Sequence, residues 1–464
     1  MNFQFKYLGP SRAVSVKEDF RKIDFRIRSL LREKQDDEHL WSPPNRDRTD
    51  SGHRVFQYPA MMVPIVQRRL LEAVVCSQRE GISLYDPFCG SGTSLVSGMH
   101  LGMSVHGNDI NPLAVLISRL RTAREVDADI AEKVRRAVSD ARGDKSQVVE
   151  TAMPNREKWF KQEVALELSA LRRSIRNESN LWMRRLLWTT LAETIRLTSN
   201  DRTSTYKLHV RTEEDINRRD QSPIDEFERL AAQNAKSLLG FRAALNDNGF
   251  VTAGKYLRDT VVKLADTTET MSGIWGSEKK FDLMMTSPPY GDNVTTVTYG
   301  QHSYLPLNWI DLADIDEGAS PDFLKSTREI DQRSLGGGKV AAKRPDPSRL
   351  LEGSRALKKA WAKLPSGGTG RQRLMSFYAD VTLAIDSMLS VMKQDAYLIW
   401  TVGNRNISGC AIPTDKIITE LLEARGCTYV AELTRVIRHK RMPNRNASSE
   451  TMKREHILVL RHGE

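Results

Sequence analysis

The chain has 464 residues, 39% of them hydrophobic and 28% charged, with a formal net charge of +11. That balance excludes a disordered or fibrous protein, and no apolar run approaches the ~20 residues of a membrane span. The basic surplus suits a polyanionic partner, nucleic acid above all.

The N-terminus, "MNFQFKYLGPSRAVSVKEDF", lacks an apolar core followed by a small-residue cleavage site, so a cytoplasmic location without export is expected. Four cysteines, Cys76, Cys89, Cys410 and Cys427, form no C-x-x-C pair. This argues against a zinc site or a disulfide framework and for a reducing compartment.

Residues 1–53 are polar and charged and are expected to form an arm or extension. Over 54–122 a helical, apolar pattern, "FQYPAMMVPIVQRRLLEAVV", precedes strand, glycine loop, helix, strand and helix. That alternation predicts a parallel α/β sheet. Residues 123–250 are charge-rich and helix-forming, and "LWMRRLLWTTLAETIRL" carries an apolar stripe at helical spacing. They are expected to be a helical insertion between two sheet strands. The sheet resumes over 251–310 with "YLRDTVVKLADT" and "FDLMMTSPPY"; residues 311–372, rich in Gly, Pro, Lys and Arg, predict long loops with one short helix. Residues 373–464 return to α/β alternation.

Three strand ends carry chemistry. "DPFCGSGTS", residues 86–94, follows an apolar run and opens a helix. Its Gly90 and Gly92 allow a sharp turn and close backbone approach to a ligand. "HGNDINPLA" ends a second strand at Asp109, placed to accept ribose hydroxyls as in dinucleotide folds, or to cap the next helix. "KLADTT" ends a third at Asp266, where the carboxylate or its backbone can meet an adenine amino group or form a turn. Such ends line the ligand crevice of an open parallel sheet, and together they describe a pocket for an adenosine-containing ligand.

"DPFCGSGT" followed later by "TSPPY" resembles the S-adenosylmethionine-dependent amino-methyltransferases of DNA. The resemblance covers roughly residues 54–122, 255–310 and 373–462. It implies a Rossmann-like class I methyltransferase sheet, here α/β with a large helical insertion. It implies that Asp86, Phe88, Gly90, Gly92 and Thr93 hold the methionine part of S-adenosylmethionine, Asp109 the ribose and Asp266 the adenine. Tyr58 and Pro59 are weaker assignments on the segment that closes over the methionine end.

In that family the catalytic element is Asp, Asn or Ser, then Pro-Pro, then an aromatic, here Ser287, Pro288, Pro289 and Tyr290. The resemblance implies methyl transfer to the exocyclic amine of a flipped base. Serine at the first position favours cytosine N4 over adenine N6. Prolines fix the backbone, so a serine hydroxyl and the Pro288 carbonyl can accept the amine hydrogens while Tyr290 stacks on the base. Methylation at ring carbon 5 of cytosine is not expected, since no cysteine follows a proline and Cys89 suits packing.

Double-stranded DNA is the expected partner, within a restriction-modification or similar defence system whose endonuclease would be a separate protein, with no membrane involved. Arg184 and Arg185 in the helical insertion, and Arg435, Arg438, Lys440 and Arg441 in "RVIRHKRMPNRN", are the expected phosphate contacts. Either insertion is a candidate for reading the DNA sequence. Asn404 and Arg405 are candidates for the base pocket, or for a loop and helix cap. Other readings are an amino-methyltransferase of RNA or of protein glutamine, and an inactive DNA-binding subunit.

Overall fold

Burial on both faces decides where the sheet strands lie. "SLYD", residues 83–86, is buried throughout and "FDLMMT", residues 281–286, nearly so, as strands covered by helices on each side must be. The computed structural model describes residues 20–33, 38–41, 55–75, 81–127, 129–292, 296–338, 346–437, 445–446, 449–450 and 454–463. Seven strands form the sheet: β1 (Ser83–Asp86), β2 (Ser104–Asp109), β3 (Thr260–Leu264), β4 (Phe281–Thr286), β5 (Met392–Val402), β6 (Cys427–Val436) and β7 (Arg454–His462).

Their spatial order is β6-β7-β5-β4-β1-β2-β3. Strands β3, β2, β1, β4 and β5 run parallel, whereas β7 is antiparallel to β5 and β6. The expected Rossmann-like α/β fold is observed. The chain builds outward from β1 to β3, then returns to lay β4 on the other side of β1. This reversal opens a crevice beyond the strands' carboxyl ends.

The pleat sends alternate residues to opposite cores. Leu84, Val105, Leu283 and Met285 face one core. Tyr85, Met284 and Leu398 face the other. On the first face lie α1 (Phe20–Glu33), α2 (Pro64–Val75), α3 (Thr93–Met99) and α4 (Pro112–Arg121).

Between β2 and β3 lie α5 (Ile130–Gly143), α6 (Gln162–Arg176), α7 (Leu181–Thr198) and α8 (Pro223–Asp247). Two of these four helices start on side-chain caps. Asn180 accepts from the Met183 amide at 3.0 Å, and Ser222, followed by Pro223, accepts from Asp225 at 3.2 Å. Leu168, Leu186 and Phe227 belong to the same core as Leu84 and Val105, so the insertion is continuous with one face of the sheet. Next come α9 (Tyr299–Leu307), α10 (Gly370–Leu389) and α11 (Thr414–Glu423).

The described part of residues 1–53, expected as an arm or extension, packs into the first core. Ile23, Ile27, Leu31 and Trp41 are buried in the first core, Asp24 accepts from Tyr397 Oη at 2.7 Å, and Arg28 donates to the Val430 carbonyl at 3.0 Å. The spacing of 23, 27 and 31 is one stripe of a helix. Residues 311–372 hold several short helices where one was expected, Pro347–Glu352 and Arg355–Lys363 among them. Asp346 and Ser354 cap these two by accepting from Ser348 and Leu357. No described helix is long and apolar enough to cross a membrane.

Candidate active site

The turn after β1 depends on its glycines. Gly90 and Gly92 have φ of +50° and +78°, a region costly for any residue with a Cβ. A Cβ at Gly92 would stand 3.0 Å from Ser118 Oγ, and one at Gly90 3.4 Å from the Tyr58 ring. The Gly90 backbone thus lies beside the Tyr58 ring. α3 begins directly after the turn, at Thr93.

Asp86 does not reach the crevice. It is fully buried and accepts from the Phe88 amide at 3.0 Å, from Thr286 Oγ1 at 2.7 Å and from Ser94 Oγ. Burial pushes its pKa up to about 6 against the pull of these donors. Its work is to pin β1, the glycine turn and β4 together. The direct ligand contact expected of it is therefore revised, and Gly92 likewise serves the turn.

Asp109 reaches the crevice from the end of β2. Its Oδ2 accepts from the Gly90 amide at 2.9 Å and its Oδ1 from Asn111 at 2.8 Å. Burial pushes its pKa up to about 6. The helix cap is the neighbour, Asn111, whose Oδ1 accepts from Leu113 at 3.1 Å. Asn111 also donates to Tyr58 Oη at 3.0 Å and Ser303 Oγ at 2.8 Å. Tyr58 stacks on Tyr299 with centroids 5.8 Å apart. Beyond β3, Asp266 accepts from the amide and hydroxyl of Thr268 at 2.9 and 2.8 Å, and burial raises its pKa. Thr267 Oγ1 donates to the Pro87 carbonyl at 2.5 Å, tying this end to the glycine turn.

These ends enclose an open cleft. Tyr58, Pro59, Phe88, Gly90, Thr93, Asp109 and Asp266 line it together with Ser287 and Pro289. Pro288 is buried behind them. Tyr290 turns its hydroxyl to Ser287 Oγ, 3.1 Å away, and to Glu455 Oε1, 3.2 Å away.

The far side of this corner is clamped by Asp292. It accepts from Arg405 at 3.0 Å and from Arg373 at 3.0 and 3.2 Å. Burial raises the Asp292 pKa, but the two arginines outweigh it and hold it below the usual range. A Cβ at Gly291 would land on the Arg405 guanidinium, so this position has no room for a side chain. Asn404 serves the start of α11, accepting from the Asp415 amide at 3.1 Å.

One wall was not foreseen. Ile330, Arg333, Ser334 and Leu335, from the second insertion, also line the cleft. Arg333 is paired with Glu329 at 3.0 Å and lies over the Phe323 ring at 4.5 Å. No local motif marks this segment.

No family model matches the chain. The type II methyltransferase M.MvaI of Kocuria varians is 30% identical over 440 residues, covering 90% of this chain and 92% of that protein. The chain belongs to the type II methyltransferases.

Two structures of the rRNA methyltransferase AviRa of Streptomyces viridochromogenes also match this type II methyltransferase. They are 10% and 11% identical, with TM-scores of 0.30 and 0.31. They cover 88% and 89% of this chain and 89% and 92% of theirs. At that distance they add nothing to the sheet order seen here.

The arginines expected at nucleic acid have other partners in this methyltransferase. Arg184 grips Asp314 through two 2.8 Å hydrogen bonds. Arg185 donates to the Asp314 carbonyl at 2.8 Å, and burial lowers its pKa to about 10. Arg435 is 6% exposed and paired with Glu455. These three are engaged in contacts within the protein. Arg438, Lys440 and Arg441 lie outside the described residues.

Proposed function

We propose that this methyltransferase moves a methyl group from S-adenosylmethionine to the exocyclic amine of a base flipped from double-stranded DNA, cytosine N4 before adenine N6. One observation carries the reading. Ser287 and Pro289, of the corner that resembles the DNA amino-methyltransferases, stand in the same cleft as the strand-end carboxylates Asp109 and Asp266. A type II restriction-modification setting, with a separate endonuclease, completes it.

The donor set fits an adenosine-containing sulfonium. Carboxylates accept from ribose hydroxyls and an amino group, and the Gly90 turn beside Tyr58 would hold the methionine arm. Phe88 and Thr93 would add to that end. When bound, S-adenosylmethionine supplies an electrophilic methyl group.

An exocyclic amine on a base is flat because its lone pair is delocalised into the ring. Ser287 Oγ and the Pro288 carbonyl accept its two hydrogens, which favours localisation of the lone pair toward the methyl group. The two prolines and the Asp292 clamp hold these acceptors still, so the amine is kept in a near-attack position. Tyr290 gives the flipped base an aromatic face.

Cofactor binding by calorimetry, followed by labelled methyl transfer to duplex DNA and nucleoside analysis, tests the reading. Transfer to DNA as N4-methylcytosine is expected, and labelling of RNA or protein alone would overturn it. Ser287→Ala should slow transfer about ten- to a hundredfold, the equivalent of ~1–3 kcal/mol for a lost acceptor. Tyr290→Ala should impair base capture, since stacking contributes about 1–3 kcal/mol per base. Both variants should bind the cofactor normally.

A further inference from the structure

Ser287 is ambiguous on its own, because a hydroxyl can donate as readily as it accepts. Donation toward the amine nitrogen would compete for the lone pair that has to attack. The surrounding residues remove that ambiguity. Ser287 Oγ is 3.1 Å from Tyr290 Oη, which is 3.2 Å from Glu455 Oε1. The other carboxylate oxygen of Glu455 is paired with Arg435. Arg435 and Glu455 face each other directly across β6 and β7. Arg435 Nη1 also donates to the Trp41 carbonyl at 3.4 Å.

We propose that Glu455, held by Arg435, is a positioning residue that makes Ser287 an obligate hydrogen-bond acceptor by way of Tyr290. The inference rests on the reading of Ser287 as an acceptor for the amine. A carboxylate offers only acceptors, so the Tyr290 hydroxyl donates to Glu455. Burial, reinforced by the charge of Glu455, raises the Tyr290 pKa well above that of an ordinary tyrosine, so the phenol keeps the proton it donates. Its oxygen then receives the hydrogen of Ser287. The lone pairs of Ser287 are left for the cleft that the residue lines. The polarity of one hydroxyl is thereby set from two strands across the sheet.

Glu455→Gln tests this with little change of shape, because its amide can donate to Tyr290 and reverse the chain. Tyr290→Phe keeps the ring and removes the link. Each should lower single-turnover methyl transfer by about tenfold, with cofactor affinity unchanged. In a Ser287→Ala background, neither should slow transfer further, since residues of one network couple. A purely structural role would give the same fold loss in both backgrounds, and that result would overturn the relay. If Ser287→Ala is slow while Glu455→Gln and Tyr290→Phe run at the parent rate, the relay fails and the role of Ser287 stands. If Ser287→Ala itself runs at the parent rate, both fall. Should Glu455→Gln not fold, Tyr290→Phe decides alone.

Discussion

Thr286 Oγ1 donates to Asp86 Oδ1 at 2.7 Å, and this contact joins the last residue of β4 to the last residue of β1. The glycine turn after β1 and the Ser287–Tyr290 corner after β4 are therefore tied to each other. The donor favours the charged carboxylate, whose pKa burial pushes up to about 6. With a raised folded pKa, the stability from Asp86 is full below the unfolded value near 3.9 and is lost as pH rises through about 6. Thr286→Val removes a donor to the ionised form. Urea denaturation should show a loss of about 1–3 kcal/mol at pH 8 and a smaller one at pH 5. Equal losses at both pH values would count against the contact.

Cofactor binding should weaken in acid through Asp109. Its carboxylate reaches the cleft and is pushed up to about 6 by burial. Ribose hydroxyls that donate to the ionised form favour it, so binding is complete above this pKa and declines below it. Calorimetry between pH 5 and 7 should show affinity for S-adenosylmethionine falling toward a limit of about tenfold per pH unit for one linked proton. Asp109→Asn should bind weakly and nearly independently of pH. Asp86→Asn should keep the pH dependence, because Asp86 is sealed from the cleft.

Arg184→Ala should lower stability and leave DNA affinity and its salt slope unchanged. Its guanidinium and Asp314 are 23% and 15% exposed, and Trp188 Nε1 donates to the same carboxylate at 2.7 Å. Losing the arginine leaves Asp314 short of a cation, at a cost of about 1–3 kcal/mol. A flatter salt dependence of DNA binding would return this arginine to the nucleic-acid surface.

Cys89→Ser should retain substantial activity, and fluorinated cytosine should trap no protein–DNA adduct. The thiol is buried against Ser118, 3.8 Å away, and burial raises its pKa well above that of a free cysteine. A protonated, enclosed thiol is a poor nucleophile. An adduct resolved by mass spectrometry would replace direct transfer with covalent chemistry.

The strand ends were legible because each is written in a few contiguous residues. "DPFCGSGTS", "GNDINP" and "TSPPY" carry their own turns, caps and breaks in apolar pattern, and the sheet places them side by side. Arg184 and Arg185 misled because their partner lies far along the chain. Arg184 and Asp314 are 130 residues apart, and a count of positive charges is blind to such pairing. The cleft wall at Ile330–Leu335 and the Glu455–Tyr290 contact are tertiary in the same sense. The N-terminal helix was different: its stripe of Ile23, Ile27 and Leu31 was present in the sequence, diluted by the charges between.

Residues 110–259 separate β2 from β3, although the two strands are paired neighbours. During synthesis, the outer edge of β2 therefore stays open until the whole helical insertion has left the ribosome, and open strand edges invite wrong partners. Helices built from local contacts form quickly, so the insertion can shield the nascent β1–β2 pair while it waits. β4 arrives later still, and with it Ser287. The order of translation thus delivers Asp109 and Asp266 to the sheet before Ser287 exists.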